Sequence, residues 1–535
     1  MASPSTSPWI SADNPALTLL LDGHLYLRDT TTLDPQTNLN TLLNRMSVSS
    51  ISKGLAEIAG GVFALVIMDK ERMALHLTTD RSGLMPLYYL EEQDGFHFSG
   101  NPFTFADKCP IWEPALIEFL KFGFLPFSDS FFDGIRRVLP GQLISVPLNE
   151  NWNQKSGAYV SEFLPDNQRI TNPDEAAGQL YEALEGFYHR LGHAPFSLFV
   201  DGEPETLLSL AALHGEKPFI LSKTGGPRLC QILKSRDLEF SVISESPAET
   251  SQPDDLPGGR LAISSEHRPL LNGIRILLNK GHRHALDDSR AASWMRNPIH
   301  LTRHKNENAR TPIQPLQSYQ QFLYNLPGSL PDNLLGGIMN REFEVWFLNN
   351  ALGVLENNRT AGDNHFDFLE SLERYTVGRT FHNLLFLAGG EQPLFLSPFN
   401  DYRVQDVCRN IDRTLKSHGE LTRHLVASYY PTFREVMEQI FNPGWSGLVK
   451  RFLAPLRQKQ SQAVASMSNG SHQNSILKIS DCPAFPNHFC ERLEKFAGQG
   501  PLPLPLSHRI DTLLRFFRPQ GHEMPYNINK VTGTT

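Results

Sequence analysis

Gly61-Val-Phe-Ala-Leu-Val-Ile-Met-Asp69 places seven consecutive apolar residues between a glycine and an aspartate. With no polar residue alternating through it, the run predicts a central strand buried on both faces. The charged turn Asp69-Lys70-Glu71-Arg72 separates it from Met73 to Thr78, which predicts a hairpin. Working outward, Asp80-Arg-Ser-Gly-Leu-Met-Pro-Leu-Tyr-Tyr89 reads as a turn leading into a strand, and Gly95 to Ser99 as a further strand. Upstream, Ala16 to Leu21 is apolar and breaks at the turn pair Asp22-Gly23, with a strand resuming over His24 to Leu27. Ala115 to Phe122 has helical spacing and ends at Gly123, a C-cap residue. From Ala16 to about Pro147 the expectation is therefore short strands joined by turns.

A chain of 535 residues exceeds one typical hydrophobic core, so two domains are expected. The net charge of -8 and pI near 6.2 argue against a nucleic-acid partner. No apolar run approaches the ~20 residues of a membrane span, so no membrane partner is expected. The opening Met-Ala-Ser-Pro lacks the basic region and apolar core of a secretory leader. The five cysteines, Cys109, Cys230, Cys408, Cys482 and Cys490, are odd in number and scattered, which suits reduced thiols in a cytoplasm. Cys482, His488 and Cys490 match no common zinc spacing, and no metal ligands are assigned.

The second half alternates strand and helix signals. Pro173 to Arg190 has helical spacing, with Asp174 and Glu175 favourable in its first turn. Phe196-Ser-Leu-Phe-Val200 is a short strand, followed by Asp201-Gly-Glu-Pro-Glu-Thr206 and a helix-like stretch. Pro218 to Ser222 and Phe240 to Ile243 read as further strands. Such alternation predicts a parallel sheet. The loop at residues 201–206 stands where α/β sheets bind phosphate, yet Asp201, Glu203 and Glu205 are carboxylates. At an effective dielectric of about 20, each carboxylate about 4 Å from a phosphate charge costs on the order of 4 kcal/mol. Pro204 also removes an N–H donor.

Several of these motifs resemble asparagine synthetases. Gly61-Val-Phe-Ala64, Asp80 to Tyr89, Phe96-His-Phe-Ser99, Ala115 to Phe124 and Phe132-Asp-Gly-Ile-Arg-Arg-Val-Leu-Pro-Gly141 are similar, in order and spacing, to that family's glutaminase domain. The resemblance implies a β-rich, glutaminase-like sandwich over residues 1–150. It also implies a parallel α/β domain of the ATP-pyrophosphatase type over residues 173–440. A helical extension with a flexible loop at about 458–475 occupies residues 441–535. The fold class is accordingly α/β and α+β in two domains.

The same resemblance marks where chemistry departs. The family's glutaminase uses an N-terminal cysteine, whereas Ala2 follows Met1 here, and Asp22 replaces an asparagine that stabilises an oxyanion. In the synthetase part, the family's Ser-Gly-Gly-Leu-Asp-Ser pyrophosphate loop becomes Asp201-Gly202-Glu203-Pro204-Glu205-Thr206, with Ser222 nearby. Gly202 survives, Thr206 keeps a hydroxyl, and Glu205 keeps an acid. The later acidic motif is missing after Gly273 to Leu278, where Asn279-Lys-Gly-His-Arg-His-Ala285 stands instead. Pro398-Phe-Asn-Asp-Tyr-Arg403 is similar to another family segment, and Glu420 stands where a lysine is expected, ahead of Arg423. The candidate catalytic residues are thus Glu205, Glu420 and Arg423, and the candidate nucleotide loop comprises Asp201, Gly202, Glu203, Glu205 and Thr206 with Ser222.

Two functional readings follow. One is a scaffold or partner-binding pseudoenzyme without glutaminase or ligase activity, whose partner is an active homologue, a peptide or a small-molecule carboxylate; a homodimer is compatible with it. The other is a diverged ATP-dependent amide-forming ligase of the asparagine synthetase, β-lactam synthetase or lasso-peptide cyclase type, acting in natural-product biosynthesis. ATP and Mg2+ are cofactors only under the second reading.

Overall fold

The computed structural model describes residues 9–30, 32–92, 95–125, 128–148, 155–158, 169–191, 197–200, 219–222, 240–242, 261–263, 394–416, 420–434, 487–497 and 526–527, with isolated positions from 335 to 350 and from 506 to 513. Strands β1 (Ile10–Asp13) and β2 (Leu17–Leu27) lead into helices α1 (Pro35–Val48) and α2 (Ile51–Ala56). Strands β3 (Ile58–Asp69), β4 (Ala74–Thr79), β5 (Tyr88–Glu92) and β6 (Gly95–Ser99) precede helix α3 (Glu113–Phe122). Strands β7 (Arg136–Arg137), β8 (Gln142–Pro147) and β9 (Lys155–Ala158) come next, then helix α4 (Pro173–Leu191). Strands β10 (Ser197–Val200), β11 (Phe219–Ser222), β12 (Phe240–Val242), β13 (Leu261–Ile263) and β14 (Leu394–Leu396) follow. Helices α5 (Tyr402–Asn410), α6 (Arg413–Lys416), α7 (Glu420–Tyr429) and α8 (Asn487–Ala497) and strand β15 (Tyr526–Asn527) complete the described elements. The chain divides into two compact units, one of Met1–Leu87, Val138–Ile276 and Thr360–Phe441, the other of Tyr88–Arg137, Leu277–Arg359 and Asn442–Thr535.

The first unit contains a six-stranded sheet in the order β1-β2-β3-β4-β8-β9. Every residue of β3 is buried, as the unbroken apolar run of residues 62–68 predicts. The predicted hairpin to β4 is present, in register from Asp69 opposite Ala74 to Ala64 opposite Thr79. The break expected at Asp22-Gly23 is corrected. β2 runs continuously through both residues, with Asp22 opposite Ala64 and Gly23 opposite Phe63. Gly23 has a φ of +87°, and a Cβ there would sit 2.3 Å from the Val62 carbonyl oxygen and 2.6 Å from Met85 Cε. A glycine that normally signals a turn instead lets the ladder pass under a close neighbour.

A second correction concerns residues 35–56, where the strands-and-turns expectation meets two helices. Asp34 caps α1 by accepting the Thr37 N–H at 2.7 Å, and Pro35 occupies its first turn. Leu39, Leu42, Leu43 and Met46 form the buried stripe of α1 and join the core of β2 and β3. Their helical spacing was legible but lies among polar residues that dilute the signal. Strand β9 is a further addition, pairing antiparallel with β8 beyond the strands and turns expected up to about Pro147.

The same unit holds a five-stranded parallel sheet in the order β12-β11-β10-β13-β14. This agrees with the alternating strand and helix signals of the sequence. Helix α4 spans the predicted segment, burying Ala176, Ala177, Leu180, Ala183, Leu184 and Phe187. Helices α5 and α7 pack against it.

In the second unit, β15-β6-β5-β7 form a four-stranded sheet. Helix α3 ends at Gly123 in the left-handed conformation, as its C-cap reading requires. Phe122 stacks on Phe347 with ring centroids 5.8 Å apart, and Trp112 meets Trp346 edge-on at 6.3 Å. Helix α8 falls within residues 441–535, where a helical extension is expected. Residues 458–475, read as a flexible loop, lie outside the described residues.

A buried polar junction as candidate functional site

Two regions of the first unit bear on function: the end of β10 in the parallel sheet, and a polar junction on the six-stranded sheet. At the first, Val200 is the parallel register partner of Ser222. The strand that runs into Asp201 therefore ends beside the serine grouped with that loop. Asp201, Gly202, Glu203, Glu205 and Thr206 themselves lie outside the described residues, as do residues 279–285. Glu420 opens α7, and Arg423 lies exposed on the same helix.

The junction starts from the loop after β4. Asp80 is fully buried, and its carboxylate accepts N–H groups from Ser82 at 2.9 Å, Leu84 at 3.0 Å, Met85 at 3.1 Å and Phe63 at 3.4 Å. Burial pushes this carboxyl up to about 6, against the pull of those backbone donors. The carboxylate thus cages the Asp80–Met85 loop against β3.

The caged loop turns its next two side chains toward α5. Arg81 Nη1 lies 2.9 Å from Asp406 Oδ1, and the guanidinium stands 4.1 Å from the centre of the Tyr402 ring. The Arg81 backbone N–H donates to the Tyr402 hydroxyl at 3.2 Å, and Gln405 Nε2 donates to Ser82 Oγ at 3.0 Å.

Asp401 is the other anchor and is 0% exposed. Its Oδ1 caps α5, accepting from Arg403 N at 2.9 Å and Val404 N at 3.3 Å. Its Oδ2 pairs with Arg190 Nη2, from the last turn of α4, and accepts from the Tyr26 hydroxyl on β2 at 3.4 Å. Burial pushes the Asp401 carboxyl up, and Arg190 and the capping N–H groups hold it down. The Tyr26 phenol is pushed well up by its burial and by Asp401, so it stays a donor. Gly60 forms a backbone bridge with Asp401, and a Cβ there would lie 2.4 Å from the Tyr26 hydroxyl oxygen. The approach of the two backbones needs glycine.

The groups expected for glutamine hydrolysis do not assemble among the described residues. Asp22 lies within the β2 ladder, and a carboxylate cannot donate to an oxyanion. His24, two residues on, is buried and pushed down to about 4 by desolvation, so it is neutral at pH 7. Cys109, Cys408 and Cys490 are all buried, and burial pushes the Cys109 thiol up, away from thiolate. No group of three or more His, Cys, Asp or Glu side chains among the described residues is placed to hold a metal. None of the described helices is long and apolar enough to cross a membrane.

Sequence reading missed Tyr26, Asp80, Arg190 and this role for Asp401. Ser397-Pro-Phe-Asn-Asp401 carries two capping side chains in five residues, which is a local signal for an ordered corner. Nothing local points from there to Tyr26 or Arg190.

Residues 28–156 match a family described as a glutamine amidotransferase domain. A comparison with curated proteins finds no match. Among solved structures, one titled as the structure of the allosteric regulatory enzyme of purine biosynthesis is 13% identical, over 48% of this chain and 64% of that one, with a TM-score of 0.20. The glutamine phosphoribosylpyrophosphate (PRPP) amidotransferase from B. subtilis, complexed with ADP and GMP, is 13% identical over 50% of this chain and 60% of that one, with a TM-score of 0.16. The chain covers less than two thirds of either. The sheet-rich stretch of residues 28–156 is glutamine amidotransferase-like.

Proposed function

We propose that this chain is an asparagine-synthetase-like protein that hydrolyses no glutamine and forms no adenylate, and that acts as a partner-binding scaffold. The observation that carries the reading is the acidic stretch Asp201-Gly202-Glu203-Pro204-Glu205, which directly follows the parallel strand β10. A polyphosphate at that strand end would meet three carboxylates and one missing N–H. Asp22 in the β2 ladder supports the loss of glutaminase chemistry, because it cannot supply the donor an oxyanion needs. The amidotransferase-like sheet then serves through its shape and its tie to α4 and α5. Its partner under this reading is an active homologue, a peptide or a small-molecule carboxylate.

Titration calorimetry with ATP and Mg2+ is expected to give no heat of binding, and glutamine is expected to release no ammonia. Micromolar ATP binding with amine-dependent pyrophosphate release would overturn the proposal in favour of a diverged amide-forming ligase.

A further inference from the structure

Asp401 divides its two carboxylate oxygens between different tasks. Oδ1 holds the first turn of α5, while Oδ2 holds Arg190 of α4 and Tyr26 of β2. The two elements meeting at Oδ2 lead to the two places singled out for chemistry. β2 carries Asp22-Gly23 four residues before Tyr26. α4 ends one residue past Arg190, and the next strand, β10, stops at Val200, immediately before Asp201. The carboxylate is fully buried, its pairing with Arg190 is shielded from salt, and Gly60 leaves no slack around the Tyr26 hydroxyl.

We propose that Asp401 is a coupling residue through which β2 and the carboxyl end of α4 open and close as one cooperative unit. The physical reason is that the loss of either partner leaves the buried carboxylate under-satisfied, most severely when Arg190 leaves. Displacing α4 leaves Oδ2 with only a phenol, and displacing β2 leaves the pair with Arg190 short of a donor. Ring packing of Tyr26 against Phe187, at 6.5 Å, and its place beneath Arg190, at 5.4 Å, also join the elements, so the test must separate carboxylate from ring. The inference does not rest on the scaffold reading above, since it concerns motion and needs no ligand.

Amide hydrogen exchange on the full chain reads this coupling. Asp401→Asn keeps a capping oxygen for α5 and removes the charge from Oδ2. The expected result is faster exchange in residues 17–27 and 184–191 together, by roughly tenfold. Tyr26→Phe keeps the ring and deletes only the hydroxyl, and it is expected to speed exchange at the end of α4 as well as in β2. Combining the two substitutions is expected to add nothing beyond Asp401→Asn alone. Acceleration confined to α5 in Asp401→Asn, an unchanged α4 in Tyr26→Phe, or simple additivity would each overturn the proposal. Should Asp401→Asn fail to fold, Tyr26→Phe still decides between carboxylate and ring.

Discussion

Phe63 and Asp401 are both fully excluded from solvent, one at the middle of β3 and the other at the first turn of α5. Around Phe63 lie the apolar faces of β2 and α1, contributed by Leu21, Leu25, Leu39, Leu42 and others of the same core. Around Asp401 lie a guanidinium, a phenol and two backbone N–H groups. The apolar region gains stability roughly in proportion to area and tolerates rearrangement that keeps volume. The polar region depends on each partner being present, because a buried charge left alone is worse than no charge.

The largest effect is expected in the apolar region. Phe63→Ala should lower the free energy of unfolding by about 3–5 kcal/mol in urea denaturation, through lost transfer energy and the cavity left behind. A loss below about 1 kcal/mol would mean that β3 is not the packed centre described here.

Next in size are two buried titrating groups that frame the same sheet with opposite signs. His24 has its pKa lowered from 6.5 to about 4. The unfolded chain therefore binds its proton first, and the stability this buried neutral ring contributes above pH 6.5 is lost as pH falls toward 4. Asp80 has its pKa raised from 3.8 to about 6. The folded chain holds that proton longer, so stability present below pH 4 is lost as pH rises toward 6. Each amounts to on the order of 3 kcal/mol across its window. His24→Gln should therefore flatten the loss toward acid, and Asp80→Asn should flatten the loss between pH 4 and 6, in denaturation midpoints followed from pH 4 to 7. Identical profiles for wild type and both variants would sink this account.

The smallest effect is expected where charge meets water on the same two helices that Asp401 joins. Arg403 on α5 and Glu182 on α4 pair at 3.1 Å with side chains 59% and 67% exposed. Glu182→Ala should change stability by less than about 0.5 kcal/mol and leave exchange in α4 unaltered. A larger change would show that the surface pair, rather than the buried one, ties these helices.

Much of the local structure was legible from residue pattern. The uninterrupted run at residues 62–68 marked a two-sided buried strand, and β3 is buried throughout. The helical spacing after Pro173 and the glycine after Phe122 marked α4 and the end of α3, and short apolar runs marked β10, β11 and β12. Where pattern misled, the reason was that one residue type serves two purposes. Gly23 looked like a turn because glycine permits positive φ, but its freedom is used inside a strand that passes Met85.

By itself, the sequence determined the buried strand β3, helix α4 and the end of α3, because periodicity and capping act over a few residues, but not helices α1 and α2 or the unbroken run of β2. It also set the charge of Asp22, Asp201, Glu203 and Glu205, because residue type alone decides what can donate or carry charge. Only the tertiary structure decided that Tyr26 meets Asp401 across 375 positions and that Arg81 meets Asp406 across 325. Such pairs depend on how sheets and helices pack, and an apolar pattern says that a face is covered without saying by what.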